Sequence, residues 1–521
     1  MKEYNIEHKF GCFVGDNATS NDSTLVAGLN ESDEFHINSS HRIRCAGHII
    51  NLVVKATLYR DVSRFEAELA QAGPKEQFEL YRKHGAVGKL HCLVNAICIS
   101  PKRRELFKAA QQSLRQPADD DDDIYTYSTL CLRQDGGVRW HSVYFMLLRC
   151  WELRTSIKEF QRRLRNSEDT FNDNDDCIYN TLTDGLTAGD WDEVQRFIDF
   201  LELPTELTKR LEGLNSQSGA GSLWQTLTCL QTLWVAYTDW SVQLAREEDS
   251  YLKCGVNCGY EKLQSYFVKL IIEPDVSYYC IATALHPALR LQWFKSHWRK
   301  FTTWHKKAEK SIQDVFDDYV RAEESNNIVD NDDDDNQLTQ GLRRKEPSFD
   351  SKPSVSSRFD DVMIVDLDLF TGAKGRKKRK RTSELEEYYE SLREDSQNDN
   401  PTYHEIFRKD PWQWWVKYGQ HRYPTLFKMA IDLLSIPATS CECERCFSSA
   451  KRSITADRNS LLPSTIEALQ LQKNWLRHQV VDSPLQQLEK HVGMADKDAL
   501  ASGGDDTGAG DSPSPSLVQV G

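Results

Sequence analysis

Apolar and polar positions change rhythm several times along the chain. Residues 8–15 (His-Lys-Phe-Gly-Cys-Phe-Val-Gly) form a short apolar run that predicts a buried strand ending at Asp16. Asn17-Ala18-Thr19-Ser20-Asn21-Asp22 has the cap and turn chemistry that opens a helix. A second short strand is predicted from Arg42 to Cys45, feeding the apolar helix Ile49-Ile50-Asn51-Leu52-Val53-Val54-Lys55-Ala56. Strand, helix, strand, helix within residues 1–60 is the pattern of a parallel α/β unit, too small to be an independent sheet domain. From 61 to 325 apolar residues recur at spacings of three and four, as at Tyr144, Leu147, Leu148 and Trp151, which predicts helices almost throughout. Residues 326–400 lose that rhythm. An acidic run, the segment Lys352-Pro353-Ser354-Val355-Ser356-Ser357 and the basic cluster Lys374–Arg381 offer little to bury, so a disordered linker is expected. Helical spacing returns over 401–480. The Gly-, Ser-, Asp- and Pro-rich residues 481–521 are expected to form a disordered tail.

Composition narrows the class. With 521 residues, 39% hydrophobic and 28% charged, the chain suits several folded domains interrupted by polar stretches. No run of about 18 apolar residues is present, so no membrane-spanning helix and no membrane partner are expected. Met1-Lys2-Glu3-Tyr4-Asn5 lacks the apolar segment of a signal peptide, which points to an intracellular protein. The 14 cysteines are therefore expected to be reduced, mostly as core residues. The net charge of −14 owes much to Asp119–Asp123 and Asp330–Asp335, so it says little about any one surface. Lys377, Lys378, Arg379, Lys380 and Arg381 read as a nuclear import signal, with a generic basic linker as the alternative, and the nucleus is the expected location.

The densest pattern lies in residues 401–478. Pro411-Trp412-Gln413-Trp414-Trp415 and Tyr423-Pro424-Thr425-Leu426 precede Leu434-Ser435-Ile436-Pro437-Ala438-Thr439-Ser440. Ser440 suits a helix cap, and Cys443, Cys446, Phe447 and Ala450 then share an apolar face. After a turn at Asp457-Arg458-Asn459, Pro463 opens a second helix with Ile466, Leu469 and Leu476 on one stripe. Two short amphipathic helices cannot bury their faces alone, so they call for another domain or another chain. This order of elements closely resembles the C-terminal dimerisation region of the hAT (hobo/Ac/Tam3-like) transposases, and Ile436 to Ala450 and Arg458 to Trp475 follow that family's pattern. Asp16–Asp22 resembles the family's D-N-A-S-N-N-D. Arg44-Cys45-Ala46-Gly47-His48-Ile49-Ile50-Asn51-Leu52-Val53-Val54 resembles its R-C-x-x-H-x-L-N-L-V-V. Arg139-Trp140-His141-Ser142 and Ala284-Leu285-His286-Pro287 resemble two further landmarks, so the resemblance covers most of 5–310 and 400–478.

The resemblance implies a mainly α fold with a small α/β part, namely a truncated RNase H-like core interrupted by a large helical insertion domain. The expected domains are an α/β fragment at 1–60, the insertion at 61–325, the linker at 326–400, the dimerisation region at 401–480 and the tail. In that family three carboxylates hold two divalent metals that activate the attacking oxygen and stabilise the leaving one. The second carboxylate falls on Asp16 and the third on Glu444. The first belongs to a D-G-W-T motif that the residues before Asp16 do not contain. Asp16 and Glu444 are therefore expected to be vestigial. No cofactor is expected, and Mg²⁺ or Mn²⁺ would be needed only with a complete triad. By the same resemblance Cys45, His48 and Trp140 would lie near DNA, with core packing as the alternative for each. No second pair of ligands stands near Cys45 and His48 at zinc spacing, and neither Cys441, Cys443 and Cys446 nor Cys254 and Cys258 are expected to bind metal. The aromatic and basic residues from Trp293 to Lys307 read as an amphipathic core helix, or else as a surface that tracks phosphates while its rings stack on bases. Trp414, Trp415, Ile436, Pro437, Cys446, Phe447, Leu462, Ile466, Leu469 and Trp475 are the expected dimerisation residues. The reading is a transposase-derived nuclear protein that associates with itself and has lost transposition chemistry. The alternatives are an active transposase whose start lies upstream, and a non-specific DNA-binding protein.

Overall fold

The computed structural model describes residues 11–17, 39–114, 130–136, 140–166, 184–212, 221–246, 250–329, 383–454 and 461–477, with a few isolated positions besides. The import cluster at 377–381 lies outside them. The fold is mainly α with a small α/β part. Strands β1 (Phe13–Gly15) and β2 (Arg42–Arg44) pair in parallel, with Phe13 opposite Arg42, Val14 opposite Ile43 and Gly15 opposite Arg44. Both strands fall where the sequence placed them. The pairing continues one step, because Cys45 N donates to Gly15 O at 2.8 Å.

Helix α1 (Ala46–Tyr59) follows β2 directly and buries Ile49, Ile50, Val53 and Val54. Helices α2 (Val62–Gln71), α3 (Pro74–Arg82), α4 (Gly85–Ile99) and α5 (Pro101–Ser113) come next. Their starts are chemically marked. Asp61 accepts from Arg64 N and Ser100 from Arg103 N, with prolines opening α3 and α5. After them come α6 (Trp140–Glu152), α7 (Arg154–Asn166), α8 (Ala188–Leu211), α9 (Gln225–Leu244) and α10 (Tyr251–Phe267).

Helix α1 is not part of a separate fragment. Gly259 on α10 lets that helix come so close to α1 that an added Cβ would lie 2.2 Å from Thr57 Oγ1 and 2.6 Å from Tyr237 Cε1. Thr57 Oγ1 and Tyr237 OH of α9 share a hydrogen bond of 2.6 Å in the core. Helix α1, the last part of the α/β fragment expected at 1–60, thus packs against α9 and α10.

A π-helical turn (Val268–Ile272) extends α10, followed by α11 (Tyr278–Ala284), α12 (Arg290–His297) and α13 (Thr302–Val329). The rings of the aromatic-basic segment face inward. Trp293 and Phe294 are fully buried, and Trp304 stacks on Phe267 at 5.4 Å. Arg299, Lys300, Lys306 and Lys310 remain exposed. Of the two readings of this segment the structure keeps the buried rings, which cannot stack on bases, but not the single helix, because residues 298–301 break it between α12 and α13.

Part of the linker expected over 326–400 is helical. Helices α14 (Glu384–Glu390) and α15 (Leu392–Ser396) are folded and bury Leu385, Tyr388 and Leu392. Ser383 and Glu386 form a capping box that starts α14. Helices α16 (Pro401–Lys409), α17 (Pro411–Trp414) and α18 (Pro424–Leu434) complete this part. The described chain then divides between Ser440 and Cys441, inside the segment expected to act as one C-terminal region. The second unit consists of α19 (Cys441–Ser453) and α20 (Pro463–Arg477).

Candidate functional site

Helices α14 to α18 are anchored to the first unit through a buried arginine. Arg290 opens α12 with φ +50°, a left-handed backbone rarely adopted by a long side chain, and its exposure is 1%. Each nitrogen of its guanidinium has a partner. Nε donates to Pro287 O at 2.8 Å, Nη1 to Tyr388 O and to Ser391 Oγ at 2.7 Å, and Nη2 pairs with Asp395. The Tyr388 ring lies under it, 4.2 Å from Cζ. Asp395 in turn accepts from Tyr403 OH at 3.1 Å and from Ser391 Oγ at 3.0 Å. Trp414 Nε1 donates to Tyr403 OH at 3.0 Å, and Trp415 Nε1 to Leu285 O at 2.7 Å. Each buried polar atom of this chain of contacts has a partner, which is the condition for such a network to hold a fold together.

The Ala284–Pro287 landmark therefore receives the C-terminal helices. His286 is fully buried against Trp224, with ring centroids 4.4 Å apart, and burial pushes its pKa down to about 3. A second tie is the Glu384 carboxylate, which accepts from Thr425 N at 3.0 Å and Leu426 N at 3.1 Å. These are orphan donors in the first turn of α18.

Residues 435–440 form a strap rather than a docking surface. Ala438 O accepts from Ala46 N at 2.8 Å, and Ile436 O accepts from Leu223 N at 3.0 Å. The strap lies so close to Gly221 that a Cβ there would meet Ile436 O at 2.3 Å. Ser440 N donates to the Cys45 sulfur at 3.4 Å.

Asp16 follows β1 at the end of the parallel pair and is exposed, while its carbonyl accepts from Arg42 Nη2 at 2.7 Å. Cys45 is buried beside the strap, and His48 is half-buried one turn into α1. The structure thus gathers Asp16, Cys45 and His48 around the carboxyl ends of β1 and β2. Trp140 is apart from that role, because its ring is 1% exposed and stacks on His141 at 4.0 Å. Glu444 belongs to the second unit, on α19. Among the described residues no group of three His, Cys, Asp or Glu side chains lies close enough to hold a metal ion.

The expected dimerisation residues separate into two groups. Trp414 and Trp415 are buried in the network of the first unit, Ile436 is half-buried in the strap, and Pro437 is exposed there. The other six lie on the hairpin of the second unit. Phe447 is 73% exposed, Leu462 67%, Trp475 46% and Leu469 41%, with Cys446 exposed and Ile466 half-buried. Within the hairpin Lys473 Nζ donates to Ser449 Oγ at 2.6 Å. The Arg290 network itself was invisible to sequence reasoning. Its one signal was the recurrence of Leu385, Tyr388, Tyr389 and Leu392 at helical spacing between glutamates.

Comparisons with known proteins bear on both units. Residues 384–476 match the model of the hAT family C-terminal dimerisation region, and residues 43–197 match that of the ZBED1 RNase-like helical domain. The protein tpeD of Talaromyces stipitatus, whose description as a transcriptional regulator is itself provisional, is 25% identical over 486 residues, 90% of this chain and 46% of its own. The zinc finger BED domain-containing protein RICESLEEPER 1 of Oryza sativa subsp. japonica is 21% identical over 494 residues, 92% of this chain and 57% of its own. The zinc finger BED domain-containing protein DAYSLEEPER of Arabidopsis thaliana is 40% identical over 67 residues, 13% of this chain and 10% of its own. The chain thus spans about half the length of the first two relatives. In residues 43–197 and 384–476 the chain is thus similar to hAT transposase-derived proteins.

Proposed function

We propose that this protein is a transposase-derived nuclear factor that associates with itself through the α19–α20 hairpin. The observation that carries the reading is the apolar surface of that hairpin. Phe447, Leu462, Leu469 and Trp475 stand exposed on a two-helix element that matches a dimerisation region. Burying one such side chain fully is worth about 1.5–3 kcal/mol, so covering several of them against a second copy would support a stable contact. No transposition chemistry is assigned to the chain, and Asp16 and Glu444 are read as carboxylates inherited from a metal-binding ancestor. The nuclear location rests on the kind of relative the chain matches and on the basic cluster at 377–381.

The test uses two full-length copies with different tags, expressed together. Capture of one copy should bring down the other, and the double variant Phe447→Glu, Trp475→Glu should abolish co-capture while the circular dichroism spectrum stays unchanged. Co-capture that survives both charges would reject the hairpin as the contact. Contact with DNA phosphates is a second part of the reading, favoured by the exposed Arg299, Lys300, Lys306 and Lys310. A gel shift that weakens steeply with salt would bear it out, and the absence of any shift at low salt would remove it.

A further inference from the structure

We propose that Cys443 and Cys446 are half of a zinc site that a second copy of this chain completes. They stand as Cys443-Glu444-Arg445-Cys446 in α19, and both are free thiols exposed to solvent. Residues three apart on a helix point the same way, about 60° from one another around the axis. Their sulfurs can therefore reach the separation of about 3.8 Å that two thiolates take on one tetrahedral zinc with bonds of about 2.3 Å. Cys441 falls on the far side of the helix, about 160° from Cys443, and takes no part. Ser449, which meets Lys473 of α20, is about a quarter turn from the pair, so the thiols lie beside the seam of the hairpin and not inside it.

A structural zinc takes four ligands, and one chain supplies two at this place. Among the described residues no group of three such ligands forms. A second copy supplies the missing pair, because a two-fold contact sets the same patch of each copy against itself. Phe447 lies one turn beyond Cys443 on the same side of α19 and is 73% exposed. A contact that buries Phe447 against a second copy thus carries each thiol pair towards its counterpart. The inference rests on the proposed self-association through this hairpin, which lies within the match to a dimerisation region at 384–476. Zinc binding releases four thiol protons to solvent and moves no electrons. Cys254 and Cys258, four apart on α10, lie outside that match and serve as a control pair.

Cobalt(II) is the probe, because a tetrahedral thiolate site gives it intense visible absorption. The intact chain, reduced and freed of metal by a chelator, is titrated with it while light scattering follows the mass. Absorption should saturate at one ion per two chains and disappear when zinc is added. It should be lost in Cys443→Ser with Cys446→Ser and kept in Cys254→Ser with Cys258→Ser. Without metal Cys131, Cys443 and Cys446 are all open to iodoacetamide, and zinc should slow labelling of the last two about tenfold or more while Cys131 keeps its rate. Saturation at one ion per chain, a signal that survives loss of both thiols, or no binding at all would overturn the proposal. The mass of the metal-free chain judges self-association separately. A metal-free dimer that binds no cobalt removes the zinc site alone, whereas a metal-free monomer that cobalt converts into a dimer keeps the site and rejects the apolar contact as sufficient.

Discussion

Removing the Asp395 carboxylate should loosen the helices α14 to α18 from the rest of the first unit. In Asp395→Ala, the Arg290 guanidinium stays buried at 1% exposure and loses its only carboxylate partner among the described contacts, while Tyr403 OH and Ser391 Oγ lose an acceptor. Breaking a buried ion pair by removing one partner costs about 3–5 kcal/mol. The low end applies here, about 3 kcal/mol, because Pro287 O, Tyr388 O and Ser391 Oγ still accept from the guanidinium. Asp395→Asn keeps a neutral acceptor in place and should cost about half as much. Trp414 and Trp415 lie in the network, so tryptophan emission during urea unfolding reports on it directly. With a urea dependence of about 3 kcal/mol per molar, Asp395→Ala should lower the midpoint by about 1 M and Asp395→Asn by about 0.5 M. The exposed neighbour Glu394→Ala should change nothing measurable. A midpoint for Asp395→Ala within about 0.2 M of the parent would refute the reasoning, since a guanidinium truly buried in this network cannot lose its counter-charge at so little cost.

Three further expectations rest on other parts of the fold. Gly259→Ala places a Cβ 2.2 Å from Thr57 Oγ1, and the forced separation of α1 from α10 should cost about 1–3 kcal/mol, outweighing a helix-propensity gain of about 1 kcal/mol. Thermal melting should show a lower midpoint, and a higher one would contradict the close approach. Burial, then Arg60 and Lys83, hold the His84 pKa down to about 4, and burial holds His286 down to about 3. Both are neutral when folded, while the unfolded chain takes up protons below a histidine's ordinary value near 6.5. Their contribution is therefore complete above about pH 6.5 and is lost as pH falls from there towards 4 and then 3. Urea midpoints measured from pH 7.5 to 4.5 should fall across that window and fall less in His84→Gln, whereas an identical slope in the variant would contradict the assignment. Cys131, Cys443 and Cys446 are exposed, whereas burial pushes the Cys229 and Cys280 thiols up to about 12. Iodoacetamide labelling followed by mass spectrometry should modify the first three in the native protein and the last two only after denaturation. Early labelling of Cys280 would show that its surroundings are open.

Local chemistry in the sequence located most elements, and long-range pairing escaped it. The run Phe13-Val14-Gly15 and the caps Asp61 and Ser100 act within a few residues, so the sequence announces them. The spacing of Phe294, Trp298 and Phe301 likewise placed those rings on an apolar face, and the structure buries the first two fully. The segment 383–400 was read as linker together with the acidic run and the basic cluster before it, which offer little to bury, and nothing local says that Tyr388 and Asp395 will meet Arg290 about a hundred positions earlier. For the same reason the tryptophans at 414 and 415 looked like contacts for a second copy. Their indole N–H groups instead find Tyr403 and Leu285 of their own chain. The strap Ile436–Ser440 was recognisable as a motif, yet its function of closing onto Ala46 and Leu223 depends on segments far away in sequence.

That placement decides where the chain can be cut to test self-association. A chain ending at residue 400 would strip Trp414, Trp415 and Tyr423 from a buried network, whereas one ending at Ser440 keeps the first unit and its strap entire. Light scattering coupled to size exclusion, on the intact chain and on the chain ending at Ser440, is the most direct measurement. The account predicts a dimer or larger species for the intact chain and a folded monomer for the shortened one. An intact chain that is monomeric at tens of micromolar, or a shortened chain that keeps the larger mass, would contradict the hairpin as the means of self-association.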